Sequence, residues 1–224
     1  MTKRERLLAR AKSKASAARS AIDAGMGVIA IEPTSKRPDT RFSPHGSKSA
    51  TKSMGDVRSW LRTDPTINLA AVVKDTPILV VDVDGPEGEV ALDQFGSLPP
   101  TRETITRDGR HLFFRHRGKV KSSRLGFSPK LDLIVSGYVL LPESAHPEGG
   151  RYKSDDFDLP VADLPRQAID VINARKKADS AVVEISIDCP GECWRNTEHR
   201  DQKPAHNLSC YIPGAVRCNF LLMA

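Results

Sequence analysis

Two aspartates one residue apart, at the end of an apolar run, are the residues of this chain best suited to chemistry. In PILVVDVDGPEGEV, residues 77–90, the run 78–81 leads into Asp82 and Asp84, and Gly85-Pro86 turns the chain. Residues i and i+2 of a strand share a face, so both carboxylates point one way and Val83 the other. Two such charges repel by roughly 1 kcal/mol or more, depending on the local dielectric. A cation removes that cost. Paired carboxylates are hard-oxygen ligands for Mg²⁺ or Mn²⁺, completed by phosphate oxygens and water. A solvated strand end before a turn is the plainer reading of the same residues. Pro86 excludes an EF-hand loop, because it stands where that loop needs an oxygen ligand.

Two further features carry ligand chemistry. In TRDGRHLFFR, His111 opens an aromatic strand just after an Asp-Gly turn, and His111, Phe113 and Arg115 share a face by period two. An imidazole beside a guanidinium suits phosphate oxygens. In KLDLIV, Asp132 is a single acid between Leu131 and Leu133. If buried, it must be hydrogen-bonded, neutralised or metal-bound; on an exposed edge it carries no message.

The elements that must position these residues follow from periodicity. Residues 4–24 place Leu7, Ala11, Ala15, Ala18 and Ile22 at helical spacing ahead of Gly25, with Lys and Arg on the wet face. GVIAI reads as a strand, followed by a long Pro-, Ser- and Lys-rich loop of the functional or mobile kind. A short helix is expected over 56–62, strands over 69–73 and 78–83, and a helix over 88–95. TITRDGRHLFFRH reads as strand, turn and strand, KLDLIV and GYVLLP as two more strands, and 163–177 as a helix with Pro165 in its first turn. Strands and helices are mixed, with hairpins in the middle, which favours an α+β domain over a doubly wound parallel sheet.

Composition sets the frame. The 224 residues, 39% hydrophobic and 28% charged, describe a globular chain with an ordinary core. No apolar run approaches the ~20 residues of a membrane helix, and no apolar segment follows the basic start, so a cytoplasmic location without membrane contact is expected. The net charge of +6 is uneven. Residues 3–62 and 102–130 are basic, and an acidic patch of Asp82, Asp84, Glu87, Glu89 and Asp93 lies between them. Basic surface around an acidic centre suits a protein holding polyanions beside metal ions. Cys189, Cys193, Cys210 and Cys218 all lie near the end, which fits a reducing compartment for the rest. With His199 and His206 their spacings are irregular for structural Zn²⁺, so the tail is read as unligated, with zinc the lesser alternative.

Taken in order, a D-x-D, a turn-borne histidine and an acid in an apolar strand bring the chain to a resemblance. The segments GVIAIEPTSKRPDTRF, INLAAVV, ILVVDVDG, LPPTRETITRDGRHLFFR and LDLIVSGYVLLPESAHPEGGRYK resemble the bifunctional DNA primase/polymerase N-terminal (prim-pol) family of the archaeo-eukaryotic primase superfamily. The similarity covers about 21–153. It implies an α+β, RRM-like catalytic core with a mostly antiparallel open sheet and flanking helices, in a domain spanning 1–180; residues 181–224 show no convincing period and are expected to form a loosely ordered tail. It also implies a nucleotidyl transferase using two Mg²⁺ or Mn²⁺ ions. Asp82, Asp84 and Asp132 match the metal ligands, and His111 matches the histidine that contacts the incoming nucleotide. Lys36 matches a lysine-proline signature. Arg110 or Arg115 would offset triphosphate charge. Single-stranded DNA template and primer, dNTP or NTP, and a separate helicase are the implied partners, in replication of a phage, plasmid or mobile element; no P-loop for ATP hydrolysis is present in the sequence.

Departures from the family pattern are expected to matter. Asp108-Gly109 replaces a Gly-Gly or Ser-Gly pair and places a negative charge near the triphosphate, and Leu133-Ile134-Val135-Ser136-Gly137 replaces a basic residue and a Gly-rich turn. Pro142-Glu143-Ser144 replaces Pro-Pro-Ser. Two other readings stay open on these grounds: a DNA-binding module without activity, and a metal-dependent nuclease on the same aspartates. A histidine-metal nicking enzyme is disfavoured, because His111 and His116 fall on opposite strand faces.

Overall fold

Strand β3 (Ile78–Asp84) organises the fold, because it is apolar on both faces until its last residues. The computed structural model describes residues 2–117, 119–120 and 123–182. The tail cysteines and histidines lie outside these. β3 pairs antiparallel with β5 (Gly109–Arg115) on one side and with β7 (Leu131–Ile134) on the other. β4 (Glu103–Ile105) extends the sheet beyond β5, and β6 (Arg124–Ser128) beyond β7. The short β9 (Ala162–Asp163) joins the far end of β5 in parallel. A second sheet has the order β1 (Gly27–Ile31), β2 (Asn68–Val72), β8 (Tyr138–Leu140), all antiparallel. The class is α+β with mostly antiparallel open sheets.

Alternation along β3 divides the interior. Ile78 and Val80 face one core, shared with Val28 and Ala30 of β1, Leu69 and Ala71 of β2, and the helices α1 (Lys3–Asp23) and α2 (Met54–Thr63). Leu79, Val81 and Val83 face a second core with Leu92 of α3 (Gly85–Leu92), Phe95, and Ala168, Ile169 and Ile172 of α4 (Arg166–Val182). Each fully buried aliphatic side chain contributes about 1.5–3 kcal/mol, so the central strand is held from both sides.

Most predicted elements are present within a few residues, and the structure adds what periodicity left open. The two strands expected around Ser136-Gly137 are present and belong to different sheets: β7 pairs β3 and β8 pairs β2, so the chain crosses between sheets at Gly137, whose φ is +101°. The long loop after β1 is pinned to the fold. Val28 pairs with Thr51, Ile31 pairs with Pro38, the Ala30 amide donates to Ser43 Oγ at 3.0 Å, and Arg41 binds Asp39 and Asp64. The buried face of α1 is Lys14, Ala17, Ala18 and Ala21, so one lysine of the expected wet face is inside.

Lys14 is 2% exposed, and its Nζ donates to the carbonyls of Ile67 at 2.5 Å and Pro65 at 3.3 Å, just ahead of β2. Burial, aided by Arg151, pushes the ammonium from 10.5 down to about 8. An unfolded chain therefore holds more protons than the folded one between about pH 8 and 10.5. Stability should accordingly rise with pH from 8 upward, by on the order of 1–2 kcal/mol. Urea denaturation across this range should show the rise in the wild type and a flatter profile in Lys14→Met.

Candidate active site

A row of polar side chains crosses the six-stranded sheet on the face of the first core. Thr104 of β4 is opposite His111 of β5, His111 opposite Asp82 of β3, and Asp82 opposite Asp132 of β7. One residue pair down the sheet, the row becomes apolar: Phe113, Val80 and Ile134 pack into the core beneath. The polar row thus rests on the core, and Asp84 lies two residues further toward the open end of β3. His111 is 7% exposed, and its Nε2 lies 3.3 Å from Asp82 Oδ1. One oxygen of Asp132 accepts a short hydrogen bond from the Gly126 amide.

The end of β3 is fixed from both sides. The Asp84 amide donates to Lys130 O at 2.9 Å, and the Gly85 amide donates to Asp108 O at 2.7 Å. Desolvation raises the Asp84 carboxyl above its ordinary value, and the charge of Asp82 adds to it, followed by Asp108 and Asp132; only Lys130 opposes. Negative charge is therefore in excess where β3 ends.

Asp82, Asp84 and His111 open on a cavity of about 200 Å³. Lys36, from the loop after β1, lines it, as do Arg107 and Asp108 from the β4–β5 turn. His146, Glu148 and Tyr152 complete it from the segment after β8. Tyr152 stacks obliquely between the two histidines, 6.0 Å from the His111 ring and 5.7 Å from His146. Burial, then the charges of Asp82 and Asp84, push its phenol up to about 12. Desolvation lowers His146, and Lys36 and Arg107 lower it further.

A buried amide joins the two loops that bring Lys36 and His146 here. Asn68 is fully buried; its Nδ2 donates to Ala145 O at 2.8 Å and Ser35 O at 3.3 Å, and its Oδ1 accepts from the Ala145 amide at 2.8 Å. Tyr138 Oη adds a bond to Lys36 O at 3.0 Å. Asn68→Ala strips partners from buried backbone groups and should cost about 1–3 kcal/mol. Chemical denaturation measures the cost, and limited proteolysis should show earlier cleavage in both loops.

The sequence candidates separate clearly. Asp82, Asp84, His111 and Lys36 share the cavity, and Asp132 is beside Asp82 in the row. Arg110 and Arg115 do not line it. Arg110 alternates to the opposite face, where Glu89 binds it at 2.8 Å and Glu103 at 3.4 Å. Arg115 shares the face of His111 but pairs with Ile78, at the other end of β3, and donates to Val161 O. Asp108 is not a bare charge: Arg107 pairs with it at 2.6 Å and holds its carboxyl below the ordinary range, and Arg107 also bridges to Glu148. Much of the second basic stretch is likewise engaged internally. Arg102 is buried on Ser20 O, Leu159 O and the Phe157 ring, and Arg117 pairs with Asp163.

Sequence reasoning missed Thr104, Arg107, His146 and Tyr152 as site residues, and Asn68 as their support. Arg107 adjoins the Asp-Gly turn, and His146 and Tyr152 lie within SAHPEGGRYK, so all three were close to quoted motifs. Nothing in spacing marks Thr104 or Asn68, whose roles come from long-range pairing.

Among the described residues, no group of three or more His, Cys, Asp and Glu side chains forms a ready cation cage. The donors fit a different kind of site: carboxylates in charge excess, open to a cavity, as for a hard cation that keeps water and takes substrate oxygens. No described helix is long and apolar enough to cross a membrane. Comparison with curated proteins finds no match. Residues 18–167 match the family model described as bifunctional DNA primase/polymerase, N-terminal, which spans most of the chain, and this protein belongs to that Prim-Pol family.

Proposed function

We propose that the chain catalyses template-dependent addition of nucleotides to a DNA 3′-hydroxyl, in the replication of a phage, plasmid or other mobile element. The family is one of DNA primase/polymerase nucleotidyl transferases that generally use divalent metal ions. The observation that carries the reading is the row His111–Asp82–Asp132 with Asp84 and Lys36 on the same cavity. Asp82, Asp84 and Asp132 would hold two Mg²⁺ or Mn²⁺ ions, which when bound activate the attacking hydroxyl and neutralise the leaving pyrophosphate. His111 presents Nε2 to the cavity side, where as an N–H it donates to a triphosphate oxygen. Lys36 sets a cation opposite the aspartates, and the apolar row beneath keeps water out from below. Exposed Arg4, Arg6, Arg10 and Lys12 of α1, rather than the internally paired arginines, supply non-specific attraction for a DNA backbone.

Pairing of Asp108 with Arg107 weakens the case for an inactive DNA-binding module, since the charge expected to repel a triphosphate is largely offset. The test is nucleotide incorporation on primed and unprimed single-stranded DNA with Mg²⁺ or Mn²⁺. Extension of the primer supports the reading, and product in the unprimed lane adds primer synthesis. Strand cleavage without added triphosphate would turn it into a nuclease, and no product from folded, DNA-binding protein would leave a binding module.

A further inference from the structure

Two polar atoms on neighbouring strands of the site are buried without a partner. Thr104 Oγ1 and His111 Nδ1 are both shielded from solvent, and neither has a hydrogen bond within the protein. Thr104 is fully buried and His111 nearly so. Buried polar groups left unpaired cost about 1–3 kcal/mol each, so native structures seldom tolerate two side by side. These two are side by side, as directly opposed residues of the β4–β5 pair on one face of the sheet. Directly opposed side chains in an antiparallel pair have Cβ atoms about 4.5–5.5 Å apart, within reach of a rotated hydroxyl or one shared water.

The chemistry of the pair is one-directional. A neutral imidazole has one N–H and one acceptor nitrogen, and a bond to one nitrogen sets the state of the other. Nε2 lies 3.3 Å from a carboxylate oxygen of Asp82, an acceptor that calls for an N–H. In the neutral ring Nδ1 is then the acceptor, and the facing group able to donate is the Thr104 hydroxyl. Tyr152 approaches His111 ring against ring, at 6.0 Å between centroids and 35° between planes.

We infer that Thr104 is a positioning residue for His111: its hydroxyl donates to Nδ1, directly or through one buried water, and thereby holds Nε2 as the N–H that faces Asp82 and the cavity. A valine there would leave Nδ1 unfixed, and the ring would then sample the tautomer in which Nε2 is bare and repels both a carboxylate and a phosphate. The effect on nucleotide rests on the proposed polymerase reading; the tautomer itself does not.

The test uses the full chain with ¹⁵N-labelled histidine. Imidazole ¹⁵N shifts at neutral pH, without nucleotide or metal, are expected to place His111 in the Nε2–H form in the wild type and in Thr104→Ser. In Thr104→Val they should become mixed. On primed DNA, Thr104→Val should raise the nucleotide KM about tenfold, as loss of a group orienting a ligand residue does, with kcat less affected and with Thr104→Ser restoring it. A wild-type His111 protonated on Nδ1 overturns the inference without recourse to any variant, so a poorly folding Thr104→Val does not shelter it. Unchanged shifts in a folded Thr104→Val overturn it equally. Tautomers as expected in a protein that incorporates no nucleotide would sink the polymerase reading and leave Thr104 its place.

Discussion

Asp82→Asn should reduce nucleotide incorporation by a thousandfold or more, about 4 kcal/mol of transition-state stabilisation, while leaving the folded protein as stable as before or more so. Both halves follow from the same geometry. Asp82 is the middle member of the polar row, flanked by His111 and Asp132 on the adjacent strands. The amide keeps the shape, and its oxygen can still face His111 Nε2, but it removes the charge proposed to bind cations. Without divalent ions that charge is a cost, because it helps to push the Asp84 carboxyl upward. Thermal melting in chelator should therefore show Asp82→Asn, and likewise Asp84→Asn, at or above the wild-type midpoint. Added Mn²⁺ should raise the wild type and leave the variants behind. Full incorporation by either variant would end the metal-ligand reading of β3, and a large loss of stability would make these carboxylates structural instead.

Gly109→Ala should be the most damaging small substitution in the site. Gly109 pairs with Asp84 in the β3–β5 ladder. A Cβ there would stand 1.8 Å from Val83 O, 2.8 Å from Val83 C and 3.0 Å from Asp84 Cα. All three are backbone atoms of β3, so relief requires β5 to move off β3 where the aspartates are presented. The expected cost is about 3 kcal/mol or more, with loss of incorporation in whatever remains folded. The glycine of the Asp-Gly turn thus serves close strand approach as well as the turn, in which the Thr106 amide donates to Gly109 O at 2.9 Å. Asp108→Gly separates the two roles. It removes an exposed, solvent-screened ion pair with Arg107 and should change stability far less than Gly109→Ala. Equal losses in the two variants, by urea titration, would mean that turn chemistry rather than space governs the position.

How much of this was legible in the sequence can be judged residue by residue. Period two correctly placed Asp82 and Asp84 on one face, and His111 with Arg115 on one face. It could not say how far along the sheet each would lie. Arg115 is four residues from His111, about 13 Å along a strand, and so leaves the site although its face was right. Arg110 was proposed on sequence proximity alone, and alternation sends it to the other side. Strand partners were equally hidden: β7 and β8 are separated by only a short turn, yet their hydrogen bonds go to different sheets. β6 was missed because a register irregularity between Arg124 and Ser128 breaks its alternation. Lys14 was misplaced because its long stem can cross a buried face to carbonyls that no local pattern announces. Asp132 was singled out as an acid in an apolar strand and Lys36 by the family resemblance; the long-range contacts that hold the Lys36 loop, from Asn68 and Tyr138, needed three-dimensional structure.

The crossing at Ser136-Gly137 also dictates how the chain can be made and unmade. The three-stranded sheet opens with β1 and β2 but is closed by β8, where Ala70 pairs with Leu140 only after the whole of β3 to β7 has intervened. Contacts of such long sequence separation form slowly, because a large loop must close before they contribute. A nascent chain that stops short of Tyr138 carries β2 with a bare edge open to other chains, and its Lys36 loop lacks the tyrosine that holds it. The two sheets are consequently interleaved along the chain, and they are expected to gain and lose their structure as one cooperative unit rather than as two separable lobes.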